Sequence, residues 1–260
     1  SPAKPTFVTW PGRSEISEFH EWGAIQTPYS PYGFRADVVP SALEAVRHRR
    51  AGVQDEGSQL VASIFAQAAA DKSSWLDLCA GPGGKAALLA SIAGLGDHRF
   101  VANEISQIRA DLVKQVVGSH EVWVGDAREI ATRGEGFDAI LADVPCTGMG
   151  ALRRRPEVRW RRSLSDLREL GVLQREISDA AISILNVGGV FGYATCSPHL
   201  ADTSIAVADI LKKHPELEQI DIQPFMPLGL EGGVRDKSMA LWTQRHNTDA
   251  MFLALFRKIS

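Results

Sequence analysis

The sequence contains few cysteines and no long apolar run. Its three cysteines, Cys79, Cys146 and Cys196, are an odd number without short-range pairing. Such a set argues against a disulfide scaffold and indicates a reducing compartment. No apolar stretch approaches the ~18–20 residues of a membrane helix, and residues 1–5 lack the apolar core of a secretory signal. These absences predict a cytoplasmic protein without a membrane partner.

Metal-ligand spacing is missing as well. The chain has no Cys-x-x-Cys motif and no closely spaced histidine pair, so we expect no bound metal. Its composition, with 45% hydrophobic and 23% charged residues, excludes disordered, collagen-like and coiled-coil classes. A chain of 260 residues can bury one core and carry a small appended unit. We expect a monomer.

Positive charge is concentrated in one segment. The net charge is −3, yet residues 151–162 carry +5 because a single acid, Glu157, opposes six arginines. These arginines are Arg153, Arg154, Arg155, Arg159, Arg161 and Arg162. A stripe of this density is typical of a nucleic-acid surface, but a solvated loop with scattered ion pairs has the same composition. Charge alone leaves both interpretations open.

Proline divides the chain into two parts. Residues 1–52 hold six of the thirteen prolines, with short candidate elements only at 15–22 and 41–50. We therefore predict a small N-terminal α+β extension over 1–52 and a regular domain over 53–260.

In the second part, strand-like and helix-like segments alternate. The hydrophobic pattern predicts helices over 58–70, 85–95, 107–117, 164–185 and 204–213. It predicts strands over 74–79, 99–104, 121–125, 137–143, 189–195, 239–243 and 251–257. Alternation of this kind implies right-handed crossovers in an α/β fold, a doubly wound and mostly parallel sheet. The final pair of segments indicates a late antiparallel strand.

The first predicted strand runs into the glycine-rich turn Cys79, Ala80, Gly81, Pro82, Gly83, Gly84 and Lys85. A P-loop is excluded, because Cys79 stands where that motif has glycine and Ala86 follows Lys85 where it has Ser or Thr. Gly81, Gly83 and Ala86 instead satisfy the G-x-G-x-x-G/A pattern of dinucleotide-binding turns.

Two acids follow at the ends of the next strands. Glu104 lies twenty positions after Gly84 and can accept hydrogen bonds from ribose hydroxyls. Asp126, after the third strand, can contact an adenine amino group. Together they indicate an adenosine-containing cofactor, either NAD or S-adenosylmethionine.

Two later strands end in cysteine motifs. Asp-Val-Pro-Cys follows the fourth strand at 143–146, and Thr-Cys-Ser ends the fifth at 195–197. A free cysteine is usually a small buried hydrophobe. However, neighbouring strands lie ~4.8 Å apart, so side chains at their carboxyl ends can converge on one pocket.

These motifs together resemble the RNA cytosine-C5 methyltransferase family (NOL1/NOP2/Sun), and within it the bacterial 16S ribosomal RNA enzymes of the Sun/Fmu (RsmB) kind. The resemblance covers essentially the whole chain, including residues 53–60, 155–160 and 247–252. It implies a Rossmann-like class I methyltransferase fold, S-adenosyl-L-methionine as cofactor and ribosomal RNA of the small subunit as partner. The family's helical N-terminal RNA-binding domain has no counterpart in this sequence.

The resemblance also implies catalytic roles. Carbon 5 of cytosine is a poor nucleophile until a thiolate adds to carbon 6. The family assigns that thiolate to Cys196, release of the product to Cys146, and stabilisation of the adduct near N3 to Asp143. DNA cytosine methyltransferases use the Pro-Cys cysteine as nucleophile, so the exchanged assignment is the mechanistic rival.

Binding residues follow in the same way. The implied cofactor contacts are Cys79, Ala80, Gly81, Pro82, Gly83, Gly84, Lys85, Glu104, Arg109, Asp126, Asp143 and Pro145. Lys85 faces either the cofactor carboxylate or the target nucleotide, and Arg109 is either near the cofactor or a solvated helix residue. Charge and position beside Cys146 predict RNA contacts at Arg153, Arg154, Arg155, Arg159 and Trp160, and a second basic group adds Arg47 and Arg50. Trp160 either stacks on a base or is a buried anchor.

One segment departs from the family. Residues 199–204 read His-Leu-Ala-Asp-Thr-Ser, where many members carry Pro-x-Glu-Asn-Glu after the cysteine. A Cys/His dyad with His199 is disfavoured, since Pro198 predicts a turn. Two other classes compete with the methyltransferase hypothesis. They are an NAD-dependent oxidoreductase, which has no need of two strand-end cysteines, and a catalytically inert RNA-binding relative, which has no need of both thiols.

Overall fold

The computed structural model describes residues 5–161, 163–230 and 232–260. The strands are β1 (Thr6–Thr9), β2 (Ile25–Gln26), β3 (Gly33–Arg35), β4 (Ala51–Val53), β5 (Ser74–Asp77), β6 (Arg99–Glu104), β7 (Glu121–Val124), β8 (Phe137–Asp143), β9 (Leu185–Thr195), β10 (Leu217–Ile220), β11 (Val234–Arg235), β12 (Ser238–Ala240) and β13 (Phe252–Lys258). The α-helices are α1 (Glu44–Arg47), α2 (Glu56–Ala68), α3 (Gly84–Leu95), α4 (Gln107–Lys114), α5 (Val158–Arg161), α6 (Leu164–Ser183), α7 (Ser204–Lys213) and α8 (Thr243–His246). Short 3-10 turns span Ile16–Trp22, Pro40–Ala42, Ala127–Arg133, Met149–Ala151, Leu200–Asp202 and Gln223–Phe225.

The N-terminal strands form a small antiparallel sheet in the order β2-β3-β1-β4. Its core is aromatic: Phe34 stacks on Phe7 at 5.1 Å and on Phe19 at 4.4 Å between ring centroids. The sequence pattern did not predict these strands, because segments of two to four residues show no periodicity. The unit docks on α2, where the buried Glu56 carboxylate accepts hydrogen bonds from the backbone N–H groups of Tyr29 (2.6 Å) and Ser30 (2.9 Å).

The large sheet has the order β11-β12-β13-β9-β8-β5-β6-β7. The pairs from β9 to β7 along this order are parallel, whereas β13 is antiparallel to β9. The other side of β13 is shared, since β12 pairs with its first residues and β10 with its last four. The predicted parallel α/β fold with a late antiparallel strand is confirmed.

Both faces of this sheet are covered by helices. Along β8, Ala139 and Leu141 belong to one hydrophobic cluster, while Ile140 and Ala142 belong to another. This alternation follows from the two-residue period of a strand. Helices α2 and α3 pack into the first cluster, and α6 and α7 into the second. The sheet is therefore doubly wound, as the hydrophobic pattern predicts.

Several predicted elements differ from the structure, and the three largest differences concern strands. The strand predicted over 239–243 ends at Ala240, because the Trp242 N–H donates to His246 Nδ1 (2.8 Å) and opens the helical turn α8. The strand predicted from 189 begins at Leu185, which pairs with Phe137, and a register shift absorbs the intervening residues. Strand β10 was not predicted, since its four residues gain their stability from β13.

The topology places several strand ends together. Strand β5 has β6 on one side and β8 on the other, so the chain order reverses beside it. Ligands of open α/β sheets bind at such a reversal, beyond the carboxyl ends of the strands. The turns after β5, β8 and β9 meet there, and we call this region the carboxyl edge. In the part of the chain that the structure describes, no helix combines the length and apolar character needed to cross a membrane.

Candidate active site

Two cysteines meet at the carboxyl edge. Cys146 follows β8 and Cys196 follows β9, and these strands pair in parallel up to Asp143 and Ala194. The sulfur atoms of the two cysteines are 3.4 Å apart. The parallel register thus brings together thiols that are fifty positions apart in the sequence.

Backbone hydrogen bonds fix the turn after Cys146 to neighbouring segments. The Gly150 N–H donates to the Cys196 carbonyl (2.9 Å), and the Ala250 N–H donates to the Gly150 carbonyl (3.0 Å). A Cβ atom at Gly150 would lie 2.8 Å from the Cys196 carbonyl oxygen. Glycine is required here because the backbones approach so closely.

A charged pair lies beside the thiols. Lys85, in the first turn of α3, donates to the Asp143 carboxylate at 2.7 Å. Burial by itself lowers the pKa of Lys85, but the adjacent Asp143 carboxylate outweighs it and the pKa is raised. The lysine therefore stays protonated next to the sulfur pair.

The two thiols differ in acidity. A hydrogen bond from the Cys146 S–H to the Cys196 sulfur lowers the pKa of Cys196, although burial raises it. The positive charge of Lys85 lowers this pKa further. The same hydrogen bond, together with burial, raises the pKa of Cys146. A thiolate is the reactive form of cysteine, and Cys196 is the more acidic thiol of the pair.

A buried acid lies behind this pair. Asp77, the last residue of β5, is 1% exposed, and neither carboxyl oxygen receives a hydrogen bond of normal geometry from a residue that the structure describes. Burial, reinforced by the nearby Asp143 charge, raises the pKa of Asp77 to about 7. The sequence analysis did not single out this acid, although its position immediately before the glycine turn could have indicated it.

A cavity of about 300 Å³ opens next to the glycine turn. Of the predicted cofactor residues, it is lined by Cys79, Gly81, Glu104, Arg109, Asp126, Asp143 and Pro145. The remaining five predicted residues, which do not line this cavity, are Ala80, Pro82, Gly83, Gly84 and Lys85. Burial raises the pKa of the Cys79 thiol, so this third cysteine stays protonated.

The acids around the cavity already have partners. Glu104 accepts the Gly81 N–H at 3.0 Å and the Ser106 N–H at 2.8 Å, and it pairs with Arg109 at 2.6 Å. A Cβ atom at Gly81 would lie 2.8 Å from the Glu104 carboxyl carbon, which explains the glycine.

Asp126 also has a partner on the protein. Its carboxylate caps the following 3-10 turn through the Arg128 N–H (2.9 Å) and binds the Arg128 guanidinium. That side-chain hydrogen bond lowers the pKa of Asp126. Asn103, which the sequence analysis missed, lines the same cavity, and its buried Oδ1 atom accepts no hydrogen bond from a described residue.

The predicted RNA-binding residues divide into two groups. Arg153 donates to the Asn247 side chain at 2.6 Å, and Arg154 pairs with the buried Asp249. The second group is Arg155 and Trp160 on α5: Arg155 is exposed, as the first two arginines are, and Trp160 is 85% exposed. The side chain of Arg159 lies outside the described residues.

The two predicted RNA-binding arginines of the N-terminal unit form hydrogen bonds within that unit. Arg47 donates to the carbonyls of Ser41 (2.8 Å) and Ala42 (3.1 Å). Arg50 pairs with Glu18 at 2.7 Å. Among residues 5–161, 163–230 and 232–260, no group of three or more His, Cys, Asp or Glu side chains could hold a metal ion.

Comparison with known proteins gives matches over most of the chain. A model of the family described as 16S rRNA methyltransferase RsmB/F matches residues 64–257. The Mycobacterium tuberculosis (strain H37Rv) protein Rv1407 is 48% identical over 238 residues, which are 90% of this chain and 51% of that protein. Ribosomal RNA small subunit methyltransferase B of Vibrio cholerae is 35% identical over 181 residues, 67% of this chain and 41% of the relative. The chain thus spans about half the length of these relatives or less.

The fold has counterparts among solved structures. NSun6 from Pyrococcus horikoshii, determined with SFG, superposes with a TM-score of 0.81 over 100% of this chain and 92% of that chain. Sequence identity with it is 18%, so this likeness concerns the fold.

Proposed function

The chain belongs to the 16S rRNA methyltransferase RsmB/F family, and on that premise we propose that it transfers a methyl group from S-adenosylmethionine to carbon 5 of a cytosine in RNA, with 16S ribosomal RNA as the substrate. The observation that carries this proposal is the pair of sulfurs 3.4 Å apart beside the Lys85–Asp143 ion pair. The carbon 5 chemistry requires one thiol to add to the ring and a second group to help release the product.

The first step uses the acidity difference between the thiols. The Cys196 thiolate attacks carbon 6 of the cytosine ring, and the electron pair moves toward N3. The Lys85–Asp143 pair supplies the proton and the charge that stabilise N3 in this adduct. Carbon 5 has then become nucleophilic. When bound, S-adenosylmethionine supplies the electrophilic methyl group.

The second step uses Cys146. Once Cys196 is bonded to carbon 6, it no longer carries the negative charge that helps to raise the pKa of Cys146. Cys146 can then give its proton to solvent, and the resulting thiolate takes the proton on carbon 5. Removal of this proton re-forms the double bond and expels Cys196 as a thiolate, and N3 returns its proton to the Lys85–Asp143 pair.

The cavity beside the glycine turn fits an adenosine-containing cofactor. Its buried Asn103 Oδ1 atom is an acceptor still to be used. Glu104 keeps an acceptor position on the oxygen that binds the Gly81 N–H, and a ribose hydroxyl would suit it. With Asp126 and Pro145 also at the wall, we assign the cofactor to this cavity.

The RNA would reach the cleft as a single-stranded or flipped base, because carbons 5 and 6 are inaccessible within a duplex. We assign phosphate contact first to the exposed Arg155 and base stacking to the exposed Trp160. Arg153 and Arg154 are held on the protein and would contribute mainly to the local potential. Because ribosomal RNA is the proposed substrate, we place the protein in the cytoplasm.

The decisive experiment is covalent trapping on RNA. Wild-type protein with S-adenosylmethionine should form a stable adduct on RNA that contains 5-fluorocytosine, because carbon 5 then has no proton to lose. Cys196→Ala should lose both adduct and methylation, whereas Cys146→Ala should accumulate an adduct on unmodified RNA. Denaturing gels and methyl-group counting measure both outcomes.

Two results would contradict this mechanism. The reverse pattern, with adducts accumulating in Cys196→Ala, would assign the nucleophile to Cys146. Absence of any adduct in a wild-type protein that binds both S-adenosylhomocysteine and RNA would favour the inert RNA-binding relative. Calorimetry with S-adenosylhomocysteine and with NADH as separate ligands distinguishes the oxidoreductase alternative.

A further inference from the structure

A buried carboxylate lies beneath the two cysteine turns. Asp202, in the 3-10 turn after β9, is 1% exposed. One carboxyl oxygen accepts the Thr147 hydroxyl at 2.9 Å and the Thr147 N–H at 3.4 Å. The other accepts the side-chain amide of Gln174 at 2.8 Å. Burying a charged group is costly unless donors such as these stabilise it.

The hydrogen bonds around Asp202 reach both neighbours of Cys146. Thr147, which follows this cysteine, binds Asp202 directly. Pro145, which precedes it, accepts the Gln174 amide at 3.0 Å through its carbonyl. The backbone on each side of Cys146 is therefore tied to one carboxylate, directly or through a single side chain.

Both neighbours of Cys196 are tied to the same residue, one through its backbone and one through its carboxylate. The Thr195 hydroxyl donates to the Asp202 carbonyl at 3.2 Å. The Ser197 hydroxyl is 2.9 Å from the Thr147 hydroxyl, which itself binds the carboxylate. The Asp202 carboxylate therefore reaches both neighbours of Cys146 and, through Thr147, Ser197, while Thr195 binds the Asp202 backbone.

We propose that Asp202 is a positioning residue that sets the separation and orientation of the Cys146 and Cys196 sulfurs. This role rests on the proposed function, because two thiols that act one after the other on one ring must be held at a fixed distance and orientation. Asp202 acts through Thr147 and Gln174. Asp202 lies in the segment 199–204, which departs from the common family pattern, and on this proposal the acid in that segment positions the two cysteines.

The chemistry of the site explains why a carboxylate is needed. Both oxygens accept, and together they receive three donors from Thr147 and Gln174. An asparagine has the same shape but presents an NH2 group to one of these donors. At least one link would become a donor–donor contact, and the turn holding that donor would shift.

The test measures the sulfur geometry independently of methylation. Diamide takes up the two thiol hydrogens with their electrons while a Cys146–Cys196 bond forms, and peptide mass spectrometry identifies that bridge. We expect Asp202→Asn to slow bridge formation by about tenfold at a temperature where the protein is folded, and to lower kcat by about 10²-fold, since a 1 Å displacement costs that much. The KM for S-adenosylmethionine should stay within about twofold, because the contacts that bind this cofactor before the reaction are unaffected.

Matched variants separate positioning from stability. Asp138→Asn removes a carboxylate with four hydrogen bonds at the opposite end of β8, so it should lower the melting temperature without changing the rate of bridge formation. Thr147→Val should reproduce the Asp202→Asn phenotype because it lacks the bridging hydroxyl. Thr147→Ser retains that hydroxyl and should restore bridge formation toward the wild-type rate.

The possible outcomes are distinct. A wild-type rate of bridge formation in folded Asp202→Asn would overturn the positioning role, whatever happens to methylation. A lower rate in Asp138→Asn that matches the rate in Asp202→Asn would show that stability alone controls the sulfurs, which also overturns it. A wild-type protein that forms the bridge quickly but never methylates RNA would refute the proposed function and leave the geometric role of Asp202 standing.

Discussion

Acids at the two ends of the central strands have opposite pKa shifts. At the amino end of β8, burial disfavours the charge of Asp138, but hydrogen bonds from Ser73, Asn186 and Ser74 lower its pKa to about 2. At the carboxyl edge, burial raises the pKa of Asp77 to about 7, and no described residue gives it a hydrogen bond of normal geometry. Both acids belong to strands of the same sheet, and β5 and β8 are direct neighbours.

The acid at the amino end is therefore arranged to stabilise the fold, whereas the acid at the carboxyl edge is not. The amino end satisfies its acid with neutral donors, as expected for a structural site. The carboxyl edge instead gathers acids, a lysine and two thiols in a small volume. Groups with perturbed pKa values cluster in this way at sites of chemistry. Removing a group at the carboxyl edge should therefore change activity or raise stability, whereas removing the acid at the amino end should lower stability.

The largest effect is expected for Lys85→Met. The change removes the cation that lowers the pKa of Cys196 and leaves the Asp143 carboxylate without its 2.7 Å partner. We expect methylation to fall by about 10³-fold, as when one preorganised electrostatic contact is lost. The pH midpoint for alkylation of Cys196 by iodoacetamide should move upward, as mass spectrometry can follow. An unchanged midpoint would separate Lys85 from the thiol chemistry.

Asp77→Asn should stabilise the protein, and more so at high pH. The pKa of Asp77 is about 7 in the folded state and ~3.9 in an unfolded chain. The folded state thus binds the proton more tightly, and this contribution is lost as pH rises through about 7. The stability difference between variant and wild type should widen by about 3 kcal/mol from about pH 5 to about pH 8. Urea unfolding at both pH values measures it, and a constant difference would contradict the raised pKa.

The smallest effect is expected at the amino end, from Asp138→Asn. The pKa of Asp138 is lowered to about 2, so its stabilising contribution is present above ~3.9 and is lost as pH falls through about 2. Solvent screens this partly exposed site, and we expect a loss of about 1 kcal/mol at neutral pH. Thermal unfolding at neutral and acidic pH checks it. A gain in stability would remove the contrast between the two ends.

Much of the fold was predictable because it depends on local patterns. The strands at 99–104 and 137–143 and the helix at 204–213 have the predicted bounds, since long segments with clear periodicity report their own structure. The family resemblance, drawn from the glycine turn and the cysteine motifs, was confirmed by the match over residues 64–257. The N-terminal sheet and β10 were missed, because their short strands depend on partners far away in the sequence.

The candidate site was predictable only in part. Cys146, Cys196 and Asp143 could be selected because each stands at a strand end, where side chains face a ligand. Arg154 could not be distinguished from Arg155, since both are arginines in one basic segment and only the fold brings Asp249 to the former. The arginine-rich segment keeps its assignment to RNA as a prediction.

Local sequence determined that thiols, acids and a glycine turn would stand at the ends of strands, because periodicity and turn chemistry act over a few residues. Tertiary structure alone decided which of them touch. The register of β8 against β9 sets the 3.4 Å sulfur separation. The packing around Asp202 and Asp77 decides that Asp202 is well hydrogen-bonded and that Asp77 receives no hydrogen bond of normal geometry from a described residue. The reason is physical: hydrogen bonding and desolvation depend on neighbours in space, which a linear pattern does not contain.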